Sequence, residues 1–152
     1  MNDSNVNVIA ALRANSNFNA DVIEEFLANG GKVSGYFEGR NMVLITTTGA
    51  KTGRQIRNPL VYLPDGERIV LIASNAGADK NPAWYHNLRA NPELEVDLGT
   101  EKYWARAESV TGTERDELYA RMVAEIPSFA DYEASTTRKI PVFAVYRYDA
   151  QR

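Results

Sequence analysis

Short apolar runs joined by tight turns constrain the fold of this 152-residue chain more than any other feature. The clearest turn is Asp65-Gly66, which lies between apolar runs at residues 60–63 and 68–73. Asp-Gly is typical of two-residue hairpin loops, so these runs are predicted to be neighbouring antiparallel strands. A second hairpin, turning at Gly99-Thr100, is predicted from the alternating pattern that follows Pro92. Such connections favour an antiparallel sheet, because a parallel pair needs a long crossover.

Helices are predicted between these strands, where apolar side chains recur on one helical face. We place three of them at residues 21–29, 82–91 and 114–125. Their expected N-terminal caps are Asp21, Asn81 and Thr111, the last in a capping box with Glu114. Further strands are predicted at residues 42–45, 94–98, 103–107 and 140–146. Residues 1–18 are interpreted as an N-terminal arm or short helix, and residues 19–152 as one α+β domain with a mostly antiparallel sheet or small barrel.

Composition excludes several classes of function. The chain has no cysteine and one histidine, which leaves little material for a transition-metal site or a thiol nucleophile. Its pI of about 5.2 argues against general nucleic-acid binding. The first residues have no basic region of a signal peptide, and no apolar run is long enough to span a bilayer. We therefore expect a cytoplasmic protein that binds neither metal nor nucleic acid.

A tract without carboxylates is the first candidate binding feature. None of the 20 Asp and Glu residues lies between Gly39 and Pro64. The same tract carries the cations Arg40, Lys51, Arg54 and Arg57 around the run Thr46 to Arg54. Hydroxyls, glycines and cations in this pattern are typical of a site for a phosphate or carboxylate group. A solvated hairpin tip is the alternative interpretation.

Aromatic and polar residues supply the other candidates. On the helix after Pro82, Trp84, Asn87 and Leu88 share one face, which can stack on and orient a flat heterocycle. The alternative is that Trp84 fills the core. Tyr132, predicted to lie on a loop, can line a substrate pocket, and the alternative is that it caps the core. Ser74 at a strand end is a further polar candidate.

Taken together, these segments resemble the deazaflavin-dependent nitroreductase family, split-barrel proteins that bind coenzyme F420. The resemblance runs from about Asn19 to Val145. It rests on the order and spacing of six motifs: Asn29-Gly30-Gly31, Leu44 to Gly53, Pro59 to Gly66, Ala73 to Asn75, Asn81 to Leu88, and Ala130 to Tyr132. The fold that it implies is a split β-barrel with flanking helices.

The resemblance also implies a division of roles within the site. The residues implied to hold the phosphate and oligoglutamate tail of F420 are Thr48, Gly49, Lys51 and Arg57. Those implied to surround the deazaflavin ring are Ser74, Ala76, Gly77, Trp84 and Asn87. The chain departs from the family pattern at Ala50 and Ile56, which affects tail binding, and at Phe129 and Ser135, which affects the range of acceptors.

The implied activity is that of an F420H2-dependent oxidoreductase. A hydride would pass to a quinone, an activated enone or lactone, or a nitroaromatic compound, with Tyr132 lining the acceptor site and Ser74 or water supplying a proton. Two alternatives stay open: an FMN-dependent split-barrel reductase, and a protein that binds F420 or a quinone without turnover. The protein is expected to be a monomer or a homodimer, and the polar N-terminal segment gives no argument for membrane contact.

Overall fold

A computed structural model describes residues 16–148 of the chain. Its α-helices are α1 (Ser16–Ala28), α2 (Ala83–Ala90), α3 (Gly112–Glu125) and α4 (Ser128–Ala134). Its strands are β1 (Met42–Thr48), β2 (Gln55–Val61), β3 (Leu63–Asp65), β4 (Arg68–Ile72), β5 (Glu93–Asp97), β6 (Lys102–Val110) and β7 (Val142–Arg147). Two single 3₁₀ turns cover Gly35–Phe37 and Asn75–Gly77. The predicted arm at residues 1–18 lies mostly outside the described residues.

The seven strands form one antiparallel sheet in the order β2-β1-β5-β6-β7-β4-β3. β2 and β3 lie at opposite ends of this order, although Tyr62 alone separates them in the chain. Two residues span at most about 7 Å, so the sheet has to curl until its two edges meet at Tyr62. The result is a barrel that is closed at this corner, which confirms the predicted split β-barrel with flanking helices.

The barrel encloses one apolar cluster, and helices cover two more on its outside. Inside, Val43, Leu71 and Val96 pack against Trp84 and Leu88 of α2. Outside, α3 and α4 cover the β4–β7 side of the sheet, and α1 covers part of β1. Burial of these side chains is the main source of stability.

Several predicted boundaries are wrong. The run at residues 60–63 is not one strand, because β2 ends at Val61 and β3 begins at Leu63. Residues 55–59 were missed because β2 is an edge strand with an exposed, polar first half. α1 begins at Ser16, so Asp21 lies inside the helix and is not its N-cap. The segment around Tyr132 is a helix, α4, and not a loop.

The predicted capping box of α3 is absent, and the predicted cap of α2 is at another residue. Thr111 occupies the N-cap position of α3 without a side-chain cap hydrogen bond, and Glu114 instead accepts a hydrogen bond from Arg68 at 3.0 Å. At α2 the N-cap is Pro82, while Asn81 Oδ1 accepts a hydrogen bond from Arg138 at 2.7 Å. Glu114 and Asn81 are each bound by a guanidinium, and such charge-assisted hydrogen bonds are stronger than neutral ones.

Asp65→Asn is expected to lower the free energy of unfolding at pH 7 by about 1 kcal/mol. Hydrogen bonds from Arg121 and from Arg68 hold the pKa of Asp65 below its ordinary value. A carboxyl with a lowered folded-state pKa contributes stability above its unfolded pKa of about 3.9, and that contribution is lost as the pH falls through the folded value. Urea denaturation should therefore separate the two proteins at pH 7 and bring them together near pH 2. Glu67→Gln, an exposed neighbour in the same turn, is the control.

Candidate active site

An open cavity of about 420 Å³ lies between β2 and the segment that follows β4. β2 contributes Asn58–Val61 to its wall, and the opposite wall is formed by Ile72, Ser74, Asn75 and Ala76. Phe129 and Tyr132 of α4 and Trp84 of α2 also border it. Its size and largely apolar lining are typical of a site for a small organic molecule.

The cavity lies where the sheet fails to close. β3 pairs with β4 through Leu63 and Val70, and the same register, if continued, would bring Val61 opposite Ile72 and Pro59 opposite Ser74. β2 and β4 are not paired in the described sheet, and all four of these residues line the cavity instead. Pro59 has no backbone N–H to donate to another strand, so it favours an edge that stays open.

The backbone beyond β4 forms a tight arch, residues 74–78, along the cavity wall. Asn75 and Ala76 have φ angles of +48° and +51°, in the left-handed region. For a residue with a side chain this conformation costs about 1–2 kcal/mol, and Asn tolerates it better than Ala. The arch is therefore a strained segment, and such segments tend to occur at functional sites.

Arg138 holds this arch, although no feature of the sequence singled it out. Its guanidinium donates hydrogen bonds to the carbonyl oxygens of Ala73, Ser74 and Ala78 and to Asn81 Oδ1, at 2.7–3.2 Å. Burial lowers the pKa of Arg138 from its ordinary value, but an arginine stays protonated at neutral pH. In sequence it is one polar residue among Ser135 to Lys139, and nothing there distinguishes it from a solvated side chain.

Trp84 is a core residue that also borders the cavity. Only 5% of it is exposed, and its ring packs against Phe143 with a centroid distance of 6.1 Å. It belongs to the cluster inside the barrel and also borders the cavity. Trp84 can therefore form part of a fixed wall against a flat ligand, because the core holds the indole in place.

Asn87 lies away from the cavity wall. Its Oδ1 accepts a hydrogen bond from the backbone N–H of Ala50 at 2.9 Å, and its Nδ2 donates to Thr47 Oγ1 at 3.1 Å. Thr47 is fully buried and Asn87 is 5% exposed. In this structure Asn87 ties α2 to the turn between β1 and β2, and its contact with a cofactor ring stays a prediction.

The β1–β2 turn, with residues 49–57, forms a cationic hairpin. Gly49 and Arg54 close the turn through a backbone hydrogen bond of 2.8 Å, and Thr48 Oγ1 accepts one from Gln55 at 3.1 Å. Lys51, Arg54 and Arg57 are exposed, and none of them lies within ion-pair distance of a carboxylate among residues 16–148. These cations are available to an anion from solution.

Tyr132 and its neighbours form the α4 side of the cavity. Tyr132 is 6% exposed, and its ring meets that of Phe129 edge-on at 5.0 Å. Tyr119 supports this pair from behind, donating its hydroxyl hydrogen to the Phe129 carbonyl oxygen at 2.7 Å, and burial raises the pKa of Tyr119. Phe129 therefore contributes an apolar surface to the cavity.

The structure separates the predicted site residues into two groups. Ser74, Ala76, Trp84 and Tyr132 line the cavity. Thr48, Gly49, Lys51 and Arg57 belong to β1 or the cationic hairpin, and Asn87 and Gly77 support the two regions from behind. Arg40, from the same acid-free tract, lies on the cavity wall and donates a long hydrogen bond of 3.4 Å to the Glu125 carbonyl oxygen.

A family model described as F420H(2)-dependent quinone reductase matches residues 21–146, which is most of the chain. The chain belongs to this family. It is 34% identical over 110 residues to the F420H(2)-dependent quinone reductase Rv1261c of Mycobacterium tuberculosis, covering 69% of this chain and 72% of that protein. It is 32% identical over 100 residues to the putative F420H(2)-dependent quinone reductase Rv3178 of the same species, covering 66% and 84%.

Solved structures agree with this membership. The structure described as F420-H2 dependent reductase (FDR-A) is 37% identical, with a TM-score of 0.65 over 70% of this chain and 94% of that one. A protein described as a domain-swapped dimer is 34% identical, with a TM-score of 0.67 over 83% and 95%. A putative pyridoxamine 5'-phosphate oxidase from Listeria innocua, 12% identical with a TM-score of 0.52, shares the fold alone.

Membership in the F420H(2)-dependent quinone reductase family confirms the predicted family, the oxidoreductase class and coenzyme F420 as its cofactor. Among residues 16–148 there is no group of His, Asp and Glu side chains placed to hold a metal ion. No helix in that part of the chain has the length and hydrophobicity needed to cross a membrane. Cytoplasmic location and a monomeric or homodimeric state stay predictions.

The residues present fit the expected cofactor. F420 combines a flat three-ring heterocycle with an anionic tail, and the structure has a cavity with aromatic walls and a hairpin with three exposed cations. Both border β2, whose seven residues span about 20 Å. Ala50, which replaces an expected arginine, presents its backbone N–H to Asn87. The hairpin therefore lacks one cation, but it keeps the backbone hydrogen bond that attaches it to α2.

Proposed function

We propose that this protein catalyses hydride transfer from F420H2 to a quinone or a similar flat, electron-poor acceptor, with both molecules bound in the cavity between β2 and the 74–78 arch. The observation that supports this most strongly is the arrangement along β2. Its first residues belong to the cationic hairpin, and its last four line the cavity. An elongated cofactor with an anionic tail and a flat ring can follow one strand.

The chain's own residues have three tasks in this proposal. Lys51 and Arg57 attract the anionic tail. Trp84, Phe129 and Tyr132 present a rigid apolar surface that orients the rings and excludes water. When bound, F420H2 supplies a hydride from C5 of its ring. A quinone that gains the hydride also needs one proton, which the hydroxyl of Ser74 or a water molecule beside it can donate.

The proposal is tested by mixing the purified protein with F420H2 and menadione and following the return of oxidised F420 by its absorbance. We expect oxidation that depends on both protein and acceptor. Tight F420 binding without oxidation across a panel of quinones, enones and nitroaromatics would support a binding protein instead. Co-purification of yellow FMN, with turnover by reduced FMN alone, would support the FMN-dependent alternative.

Lys51→Ala is expected to raise the dissociation constant of F420 by about fivefold to tenfold, and more when the glutamate tail is longer. The side chain is exposed at the tip of the cationic hairpin, so its removal should not disturb the fold. Fluorescence titration at low and high salt measures the effect, which salt should reduce. Lys139→Ala, which removes a lysine paired with Asp116, is the control. Equal curves for the wild type and Lys51→Ala would mean that the tail lies elsewhere.

Tyr132→Phe is expected to raise the KM for the acceptor severalfold while leaving F420 affinity unchanged. The substitution keeps the ring that packs on Phe129 and removes only the hydroxyl, which makes a hydrogen bond worth about 1 kcal/mol when it is formed with a ligand. Steady-state kinetics with menadione at saturating F420H2 gives both constants. A fall in kcat at constant KM would assign the hydroxyl to the chemical step instead.

A further inference from the structure

We propose that Arg138 is a positioning residue for the reaction: it holds the 74–78 arch in its left-handed conformation and so keeps the cavity wall in the shape that binds F420. This inference rests on the proposed function for its purpose. Its structural basis is independent of any ligand. Arg138 is not among the residues that line the cavity, so it acts through the arch.

The hydrogen bonds of Arg138 all converge on one short segment. Nη2 donates to the Ser74 carbonyl oxygen at 2.8 Å, Nε to that of Ala78 at 2.9 Å, and Nη1 to that of Ala73 at 3.2 Å. Nη1 also donates to Asn81 Oδ1 at 2.7 Å. One side chain, located about 60 residues away in sequence, therefore fixes both ends of the arch and also binds Asn81, which precedes the N-cap residue of α2.

The arch needs such support because of its backbone. Within it, Ser74 accepts a hydrogen bond from Gly77 N–H, and Asn75 accepts one from Ala78 N–H. Ala76, at φ +51°, is in a conformation that a residue with a Cβ disfavours by roughly tenfold or more. A strained conformation persists only when its surroundings hold it. The guanidinium supplies contacts that the arch alone does not make.

The chemistry of Arg138 suits this role better than that of a lysine. Its acceptors are three carbonyl oxygens and an amide oxygen, and no carboxylate among residues 16–148 lies within ion-pair distance of it. A planar guanidinium can reach several fixed acceptors at once, whereas an ammonium group acts as a point charge. The contacts that fix its position are therefore hydrogen bonds to neutral oxygen atoms.

The first test compares Arg138→Gln and Arg138→Lys with the wild type. Both variants should raise the dissociation constant of F420 at least tenfold. The dissociation constants of the two variants should differ from each other by no more than threefold. In the protein without cofactor, hydrogen exchange of the amides at residues 74–78 should accelerate at least tenfold relative to those of β6. If Arg138→Gln does not fold, Arg138→Lys carries the same test.

Arg121→Gln is the matched control. Arg121 is likewise an arginine that binds side-chain and backbone oxygens, with hydrogen bonds to Asp65 and to the Pro64 carbonyl oxygen, but it does not border the cavity. Its loss should lower global stability without changing F420 affinity. Equal effects of the two substitutions on affinity and exchange would overturn the proposal, because Arg138 would then be an ordinary stabilising residue.

The second test asks whether relief of backbone strain replaces the guanidinium. Glycine adopts a left-handed conformation without penalty. Adding Ala76→Gly to Arg138→Gln should therefore lower the dissociation constant of F420 at least threefold relative to Arg138→Gln alone. The same change in the wild type measures any direct effect of residue 76 on affinity, and the recovery is counted relative to it. No recovery in the double variant would overturn the proposal. Since binding and exchange need no turnover, a protein that binds F420 but reduces no acceptor would refute the proposed function and leave this inference standing.

Discussion

Gly77→Ala is expected to destabilise the protein by about 2–4 kcal/mol and to weaken F420 binding at least tenfold. Gly77 has a φ of +80°, which a residue with a side chain rarely adopts. An added Cβ would lie 3.0 Å from Tyr132 Cα and 3.1 Å from Ser135 Cβ. Because the nearest atom is backbone, the clash cannot be relieved by a change of rotamer. Either α4 or the arch has to move, and both form walls of the cavity.

Substitution of a second glycine, Gly66, separates the cost of the backbone conformation from the cost of the steric clash. Gly66 has a φ of +65°, but no heavy atom beyond its chain neighbours lies within 4 Å of its added Cβ. Gly66→Ala should therefore cost only about 1 kcal/mol and leave F420 affinity unchanged. Urea denaturation and fluorescence titration of both variants measure the two effects. If the two variants behave alike, close packing of α4 on the arch does not determine the shape of the site.

The parts of the fold that were predictable from sequence are those governed by local signals. Asp65-Gly66 and Gly99-Thr100 mark the two predicted hairpins, and the spacing of Trp84, Asn87 and Leu88 identifies the buried face of α2. Each depends on residues that are close in the chain. A turn dipeptide or a helical period therefore has a structural meaning before the tertiary fold is known.

The parts that were missed depend on distant neighbours. Nothing local shows that the chain crosses from one edge of the sheet to the other at Tyr62, because the run from Leu60 to Leu63 is continuous in character. The role of Arg138 likewise has no local sequence signal, because two of its acceptors are backbone carbonyl oxygens some 60 residues away. A backbone acceptor has no sequence signature, so an arginine bound to carbonyls looks like any exposed arginine until the fold is known.

The family resemblance implied a role for each of the predicted site residues, and the structure shows where each one lies. Trp84 and Ser74 lie on the cavity wall, whereas Asn87, assigned to the same ring, makes its hydrogen bonds to Thr47 and Ala50. A motif records which residues recur together and not which atom each one contacts. In this chain, Asn87 connects the helix that carries Trp84 to the hairpin that carries Lys51.

Asn87→Leu is therefore expected to affect both stability and tail binding. The two side chains share the same branched arrangement of heavy atoms, although the methyl groups of leucine need more space than an amide. The substitution leaves the buried Thr47 hydroxyl and the Ala50 N–H without their partner, at a cost of about 2–4 kcal/mol in unfolding free energy. The turn of the cationic hairpin also loses its attachment to α2. F420 affinity should fall about tenfold, with the larger loss for long glutamate tails.

Thr47→Val in the same background separates these two effects. Valine removes the unpaired hydroxyl, so the double variant should regain about 1 kcal/mol of stability. The Ala50 N–H still lacks Asn87 Oδ1, so F420 affinity should stay low. Chemical denaturation and F420 titration of the single and double variants provide the comparison. Recovery of affinity together with stability would show that the Thr47 bond, within the core, is what matters. If the double variant regains stability while its F420 affinity stays low, the effect lies at Ala50, where α2 holds the hairpin in position for an anionic ligand.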